Sequence, residues 1–437
     1  MADSVSVTKR TWYGSRVGSS FKKIFSGILL VLLSIALLAW NENNFVEQKA
    51  ALNEGSKIVE ETSSETVNPA LDQKLVHLDG VTSSPDEQLQ DSVFWVKTED
   101  LKLARNVEMY QWTESSSEEC HDNVWGSEDC TTTYDYKKAW KDEVVDSSRF
   151  YETAGHSNPT AMEFESELQE KSPIQIGAFT LGEAFVDQLD DYEALPLQDQ
   201  KLTFPWQESV SQVNIPEQEI TTWSGEVLVS SWTEASLSGE DTSTEANDQA
   251  SQKVERFHLM GNTIYVGEDP ANPKVGDLKI TFSTVKAWMT SIVGKQNGNE
   301  LSPYKTSNNR SIALLEKGKV SAEEMFANAH AANRMMTWIL RLVGLFLMYL
   351  GFSMMFDFIV TLAKVLPFVA SIIGVGTSFV AFGLTIILGL GTIAIARVIV
   401  RPMVGIPLLI LAVGGGVGFF MWKKKDKKPD VVSTNNS

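Results

Sequence analysis

Apolar residues fall into two patterns along this chain. Long unbroken apolar blocks occupy the ends, and a polar middle carries hydrophobic residues at alternate positions. Near the start, residues 21–40 read FKKIFSGILLVLLSIALLAW, with an apolar run of about 17 residues from Ile24 to Trp40, the short end of what crosses a hydrocarbon core as a helix. Lys22 and Lys23 can reach the headgroups and lengthen the run, and Trp40 suits the interface. A cleaved signal peptide is the alternative. Against it, Asn41-Glu42-Asn43 follows in place of a small-residue cleavage site.

Three further blocks close the chain, at 338–360, 365–400 and 403–422, before a basic tail at 423–437. The middle of these blocks is too long for one straight span and counts as a single crossing with an interfacial or re-entrant start near Pro367. Gly344 and Gly351 are seven residues apart, as are Gly376 and Gly383, so each pair can share a helix face. Gly414 and Gly418 belong to a glycine cluster in the last block. Small residues let helix backbones approach closely in lipid, within one chain or between copies.

Between the blocks, residues 41–337 read as a β-rich α+β domain. Strand patterns lie at Ser92–Val96, Val107–Trp112, Thr131–Trp140, Ile174–Phe179, Glu226–Trp232, Arg256–Val266 and Asp277–Ser283. Helices are predicted at Thr160–Lys171 and Leu181–Leu189. A Ser/Glu/Asp/Thr-rich loop is predicted over Ser236–Lys253. Ser321-Ala-Glu-Glu324 fits a capping box that starts a helix running into the 338–360 span.

Charge orients this arrangement. Residues 1–40 hold five Lys/Arg against one Asp, and residues 338–437 hold nine against three, so the middle must carry −29 within an overall −19. The positive-inside rule places both basic ends, residues 1–20 and 423–437, in the cytoplasm and predicts four crossings, one before the acidic domain and three after. The domain then faces the lumen or periplasm. Its acidity argues against nucleic acid as a partner. Arg341, Asp357, Lys364, Arg397 and Arg401 lie near span ends and read first as snorkelling to headgroups, with an ion path as the rival.

Candidate chemistry is sparse. Cys120 and Cys130 are the only cysteines and can close a short loop in an oxidising compartment. A chain-entropy estimate gives such a closure roughly 3 kcal/mol. No Walker A, dinucleotide-binding or hydrolase motif occurs, and the five histidines are single, so no catalytic residue, cofactor or metal is predicted. His156, in GHSNP, is the one candidate base for a rival reading as a membrane hydrolase or lipid-modifying enzyme. A channel or transporter subunit, resting on Asp357, is the other rival. The leading expectation is a non-enzymatic membrane protein that self-associates and organises membrane or protein assemblies, in contact with lipid and with unidentified membrane, luminal or periplasmic proteins.

Several segments, taken in order, carry a family resemblance. They are WYGSR at 12–16, AWNEN closing the first span, LVHLDG at 75–80, NVEMYQW at 106–112, GHSNPTAM at 155–162, IQIGAF at 174–179, NPKVGDLKITFS at 272–283, VSAEEMF at 320–326 and Arg401-Pro402. With them the chain resembles the transmembrane protein 43 (LUMA) family over most of its length. A polar insert around 207–255 and the Cys120/Cys130 pair depart from the pattern. The resemblance implies four transmembrane helices and a luminal or periplasmic domain. It also implies an organiser of the endoplasmic reticulum and inner nuclear membrane in eukaryotes, or an inner-membrane protein in bacteria, that self-associates and has no carried-over catalytic residues. It singles out Glu108, Tyr110, Trp112, His156, Asn158 and Pro159 as motif residues.

Overall fold

The computed structural model describes residues 3–86, 88–198, 256–364 and 367–400, with short pieces at 202, 222–223 and 226–227. Strand β1 (Asp3–Thr11) leads directly into α1 (Tyr13–Ile58). This helix does not stop at Trp40. Residues 46–54 read VEQKAALNE, good helix formers that carry it some 27 Å past the apolar run at about 1.5 Å per residue. It ends where Val59 N–H closes on Gly55 O at 3.0 Å. Helix α3 (Ala322–Ala363) runs antiparallel to it, and α4 (Pro367–Val400) returns; the single turn α2 (Glu183–Val186) lies between α1 and α3 in the chain. The cap at Ser321 forms as predicted, its hydroxyl accepting from Glu324 N–H at 3.3 Å.

Among the described residues, three helices, α1, α3 and α4, are long and apolar enough to cross a membrane. Four crossings were expected; the fourth block, 403–422, with Gly414 and Gly418, lies outside the described residues. The 365–400 block is one continuous helix from Pro367, with its candidate span at Ile373–Ile399.

Two large sheets build the described part of the domain, beside three small two-stranded ones. The strands that matter below are β2 (Leu75–Ser83), β3 (Lys102–Asp122), β4 (Glu128–Lys141), β5 (Glu167–Glu170), β6 (Phe257–Met260), β7 (Thr263–Val266), β8 (Leu278–Val285) and β9 (Met289–Asn297). The first sheet runs β1-β4-β3-β8-β7-β6, antiparallel throughout, with β5 on β3. Alternation decides its faces: Leu103, Val107 and Met109 of β3 point into a core with Phe257, Ile264, Ile280 and Phe282. The second sheet pairs β2 with β9 over a separate core that includes Val76, Leu78, Ile176, Phe179 and Ile292. A third cluster joins domain to membrane, packing Leu52 of α1 and Met325 and Phe326 of α3 on Leu75, Val293 and Ile312.

Several local expectations fail for identifiable reasons. Thr160–Lys171 is not helical, because its end pairs as β5 with β3. Ser92–Val96 is a turn, since the Asp91 carboxylate accepts from the N–H groups of Val93 and Phe94 at 3.0 and 2.6 Å. Leu181–Leu189 shortens to α2. Of Glu226–Trp232 only Glu226–Val227 is described, and Ser236–Lys253 falls outside the described residues.

The β3–β4 hairpin is long, about 70 Å for the 21 residues of β3. It leaves the domain beside β8 and ends at the opposite end of the helices, where Arg16 of α1 donates to Gly126 O at 2.8 Å. Residues 3–11, assigned to the cytoplasmic side by charge, pair here with residues 128–136 of the hairpin.

Candidate functional site

The helix bundle is held at three levels. At its mid-depth the backbones of α1 and α3 approach so closely that a Cβ on Gly27 would stand 2.6 Å from Gly351 O, and one on Gly351 would stand 2.7 Å from Val31 Cγ2. A Cβ on Gly344 would meet Leu38 Cδ2 at 2.6 Å. The predicted Gly344/Gly351 pair is therefore used inside the chain, with Gly27 as a partner that sequence reasoning missed. Gly376 and Gly383 of α4 have nothing described within 4 Å. Among the described residues, the Gly344/Gly351 face is thus covered and the Gly376/Gly383 face is not.

At the end away from the domain, Lys23 Nζ meets Asp357 Oδ2 at 2.8 Å, and Ser20 donates to Thr361 at 3.0 Å. The single acid on which an ion path would depend is thus paired near a helix end. Arg16, 5% exposed, reaches Asp122 and Glu128 of the hairpin tip at 2.7 and 2.9 Å, with Lys364 close to the same two carboxylates.

At the domain end lies a polar cluster that the sequence does not announce. Glu42, just past the apolar run of α1, is 1% exposed. Arg341 of α3 grips it with Nε at 2.6 Å and Nη2 at 3.0 Å, and Arg397 of α4 adds Nε at 3.0 Å. Next to it Asn41 Nδ2 donates to Thr337 O at 3.0 Å. Arg341 does not snorkel: it is 6% exposed and turned inward, its guanidinium 4.7 Å from the Trp338 ring centre. The usable signal was an acid at the end of one apolar run together with arginines at the ends of others.

Outside the bundle, the structure brings the NVEMYQW and GHSNP motifs together. Asn158 takes the place of a strand neighbour: its Oδ1 accepts from Trp112 N–H at 2.8 Å, and its Nδ2 donates to Trp112 O at 2.9 Å and Val145 O at 3.2 Å. His156 is 4% exposed, with Nδ1 on Glu152 O at 3.0 Å and Nε2 on Asp3 Oδ2 at 2.9 Å. Its ring stacks on Tyr136 at 3.9 Å and meets Trp112 edge-on at 4.7 Å. Burial, then the nearby Glu114 carboxylate that accepts its proton at 2.7 Å, raise the Tyr136 phenol above its usual range. With both ring nitrogens engaged, His156 is not placed as a free base. Pro159 ends the turn beside Gly276. Glu108 and Tyr110 share the Trp112 face of β3 but not the His156 cluster. Glu108 is exposed opposite Lys279, and Tyr110 packs on Trp140 at 5.1 Å.

Cys120 and Cys130 are directly opposite one another in the hairpin and are bonded. Glu118 lies near both sulfurs, but disulfide sulfurs carry no thiolate to ligate a metal.

A bundle of apolar helices joined to a two-sheet acidic domain defines an integral membrane protein with a large extramembrane β-rich domain. The family described as Transmembrane protein 43 matches residues 109–402, and the chain belongs to that family. It is similar to mouse Transmembrane protein 43, 29% identical over 401 residues (89% of this chain and 87% of the mouse protein), and to the human protein, 28% identical over 412 residues (91% and 90%). The Drosophila melanogaster Transmembrane protein 43 homolog is 26% identical over 407 residues, 91% of this chain and 92% of that protein. No solved structure matches.

Proposed function

We propose that this chain is a non-enzymatic multi-pass membrane protein that self-associates and organises membrane and protein assemblies through its large domain. The observation that carries this reading is the division of its packing glycines. Gly27, Gly344 and Gly351 are consumed by the α1–α3 contact, whereas no described residue covers Gly376 and Gly383 on α4, a small-residue face that a second copy can fill. Against the rival readings, His156 is buried with Nδ1 on Glu152 O, and Asp357 is paired with Lys23.

In this reading the acidic domain faces the lumen or periplasm. Three crossings leave the chain on the domain's side at Val400, so the positive-inside rule requires a further crossing to bring the Lys-rich tail to the cytoplasm. The matching site is the endoplasmic reticulum and inner nuclear membrane in a eukaryote, or the inner membrane in a bacterium.

Crosslinking of the full-length protein in native membranes, read by mass spectrometry, tests the proposal. Self-crosslinks through α4 and partner proteins attached to residues 41–337 are expected. A strictly monomeric chain without partners would overturn it.

A further inference from the structure

The cluster at the domain end of the bundle contains one arginine more than a structural lock requires. Arg341 alone satisfies Glu42, because its Nε and Nη2 take both carboxylate oxygens. Adding Arg397 leaves the cluster with a net charge of +1 at the edge of the apolar layer, where an uncompensated charge is costly. Arg397 gives Glu42 only its Nε. Its two terminal nitrogens meet no acceptor among the described residues, and its side chain is 31% exposed. The fork edge of that guanidinium, the edge that matches a phosphate, is thus unengaged among the described residues.

Its depth is that of lipid headgroups. Trp40 lies two residues before Glu42 and is 56% exposed; Trp338 lies three residues before Arg341 and is 62% exposed. The helices are antiparallel, so the two exposed indoles flank the cluster within about one helical turn on either side, the placement of a membrane interface.

We infer that Arg397, backed by Arg341 and Glu42, binds the phosphate of an anionic phospholipid in the leaflet nearest the domain. Arg341 holds Glu42, Glu42 holds the Nε of Arg397, and the outer edge of Arg397 takes the phosphate. Glu42 sets the selectivity: it reduces the charge to +1, enough for one phospholipid phosphate and too little for a polyanion.

The test uses the full-length protein reconstituted in nanodiscs of equal phosphatidylglycerol and phosphatidylcholine, then released for native mass spectrometry. Wild type should retain phosphatidylglycerol in preference. Arg397→Gln should lower that preference about fivefold, the size expected for one arginine near a membrane surface. Arg397→Lys, which keeps the charge and the Glu42 contact but not the fork, should fall between and guards against a folding defect in Arg397→Gln. Unchanged preference in both variants would overturn the site. Displacement of the retained lipid by millimolar inorganic phosphate would overturn the lipid assignment in favour of a soluble phosphate.

Discussion

Removing the carboxylate of Glu42 leaves two guanidiniums facing each other, whereas removing Glu42 and Arg341 together leaves only Arg397, whose side chain is part-exposed. Breaking a buried ion pair from one side typically costs about 3–5 kcal/mol, while replacing both partners by apolar groups is close to neutral. Glu42→Gln should therefore lower the thermal midpoint of the purified protein, and Glu42→Met combined with Arg341→Met should recover most of the loss. If the double variant were as unstable as the single one, the cluster would be stabilising as a unit. The same scale shows what the sequence concealed. Glu42 sits outside its apolar run and meets an arginine 299 residues away, so no local pattern links them. His156 was visible as a residue of interest, but its engagement with Asp3 depends on a strand pairing no single-sequence reading reaches.

At the scale of elements, the joint between membrane and domain is partly electrostatic. Glu47, on the part of α1 beyond the apolar run, meets Arg310 at 2.6 and 3.1 Å, and that guanidinium holds its carboxyl below the usual 4.5. A carboxyl lowered in the folded state contributes stability above its unfolded value and loses it as pH falls through the folded one. Thermal stability should thus decline below about pH 4.5, and Glu47→Gln should flatten that part of the profile, by a small amount because both side chains are part-exposed. The glycines make a sharper contrast. Even Ala at Gly27 or Gly351 puts a carbon within 3 Å of the opposing backbone, so either change should separate α1 from α3 and lower the melting temperature. Gly383→Leu should leave the melting temperature in place and weaken self-crosslinking; the reverse pattern would assign the faces the other way. Heptad spacing was legible for both pairs, but not which pair was already occupied. Strands were legible where alternation was strict, as at Val107–Trp112 within β3. The prediction failed at Thr160–Lys171, where an edge pairing decided the conformation rather than local propensity.

For the whole molecule, the hairpin and the bilayer compete for the same space. The β1–β4–β3 arm reaches the Arg16 end of α1 from the domain end, so it passes the depth of Ile24–Trp40. Its strands carry TESSSEECHD and EDCTTTYDYK, with open backbone at the β1 edge. Such an edge cannot lie in hydrocarbon, where unpaired backbone groups find no partner. A docked arm and an embedded bundle therefore exclude one another. Embedding requires the tip to leave Arg16 and Lys364, and these two cations sit where the positive-inside rule wants them, ready to exchange the Asp122 and Glu128 carboxylates for lipid phosphates. The register supplies the test, because Thr8 faces Thr131 across β1 and β4. In a background with Cys120→Ser and Cys130→Ser, Thr8→Cys with Thr131→Cys should stay uncrosslinked in native membranes. Thr8→Cys alone should label only from the face opposite the domain. A crosslink in the membrane would place the N-terminus with the domain. In that case α1 could not be a crossing, its apolar run would have to be covered by protein, and the topology read from charge would fall.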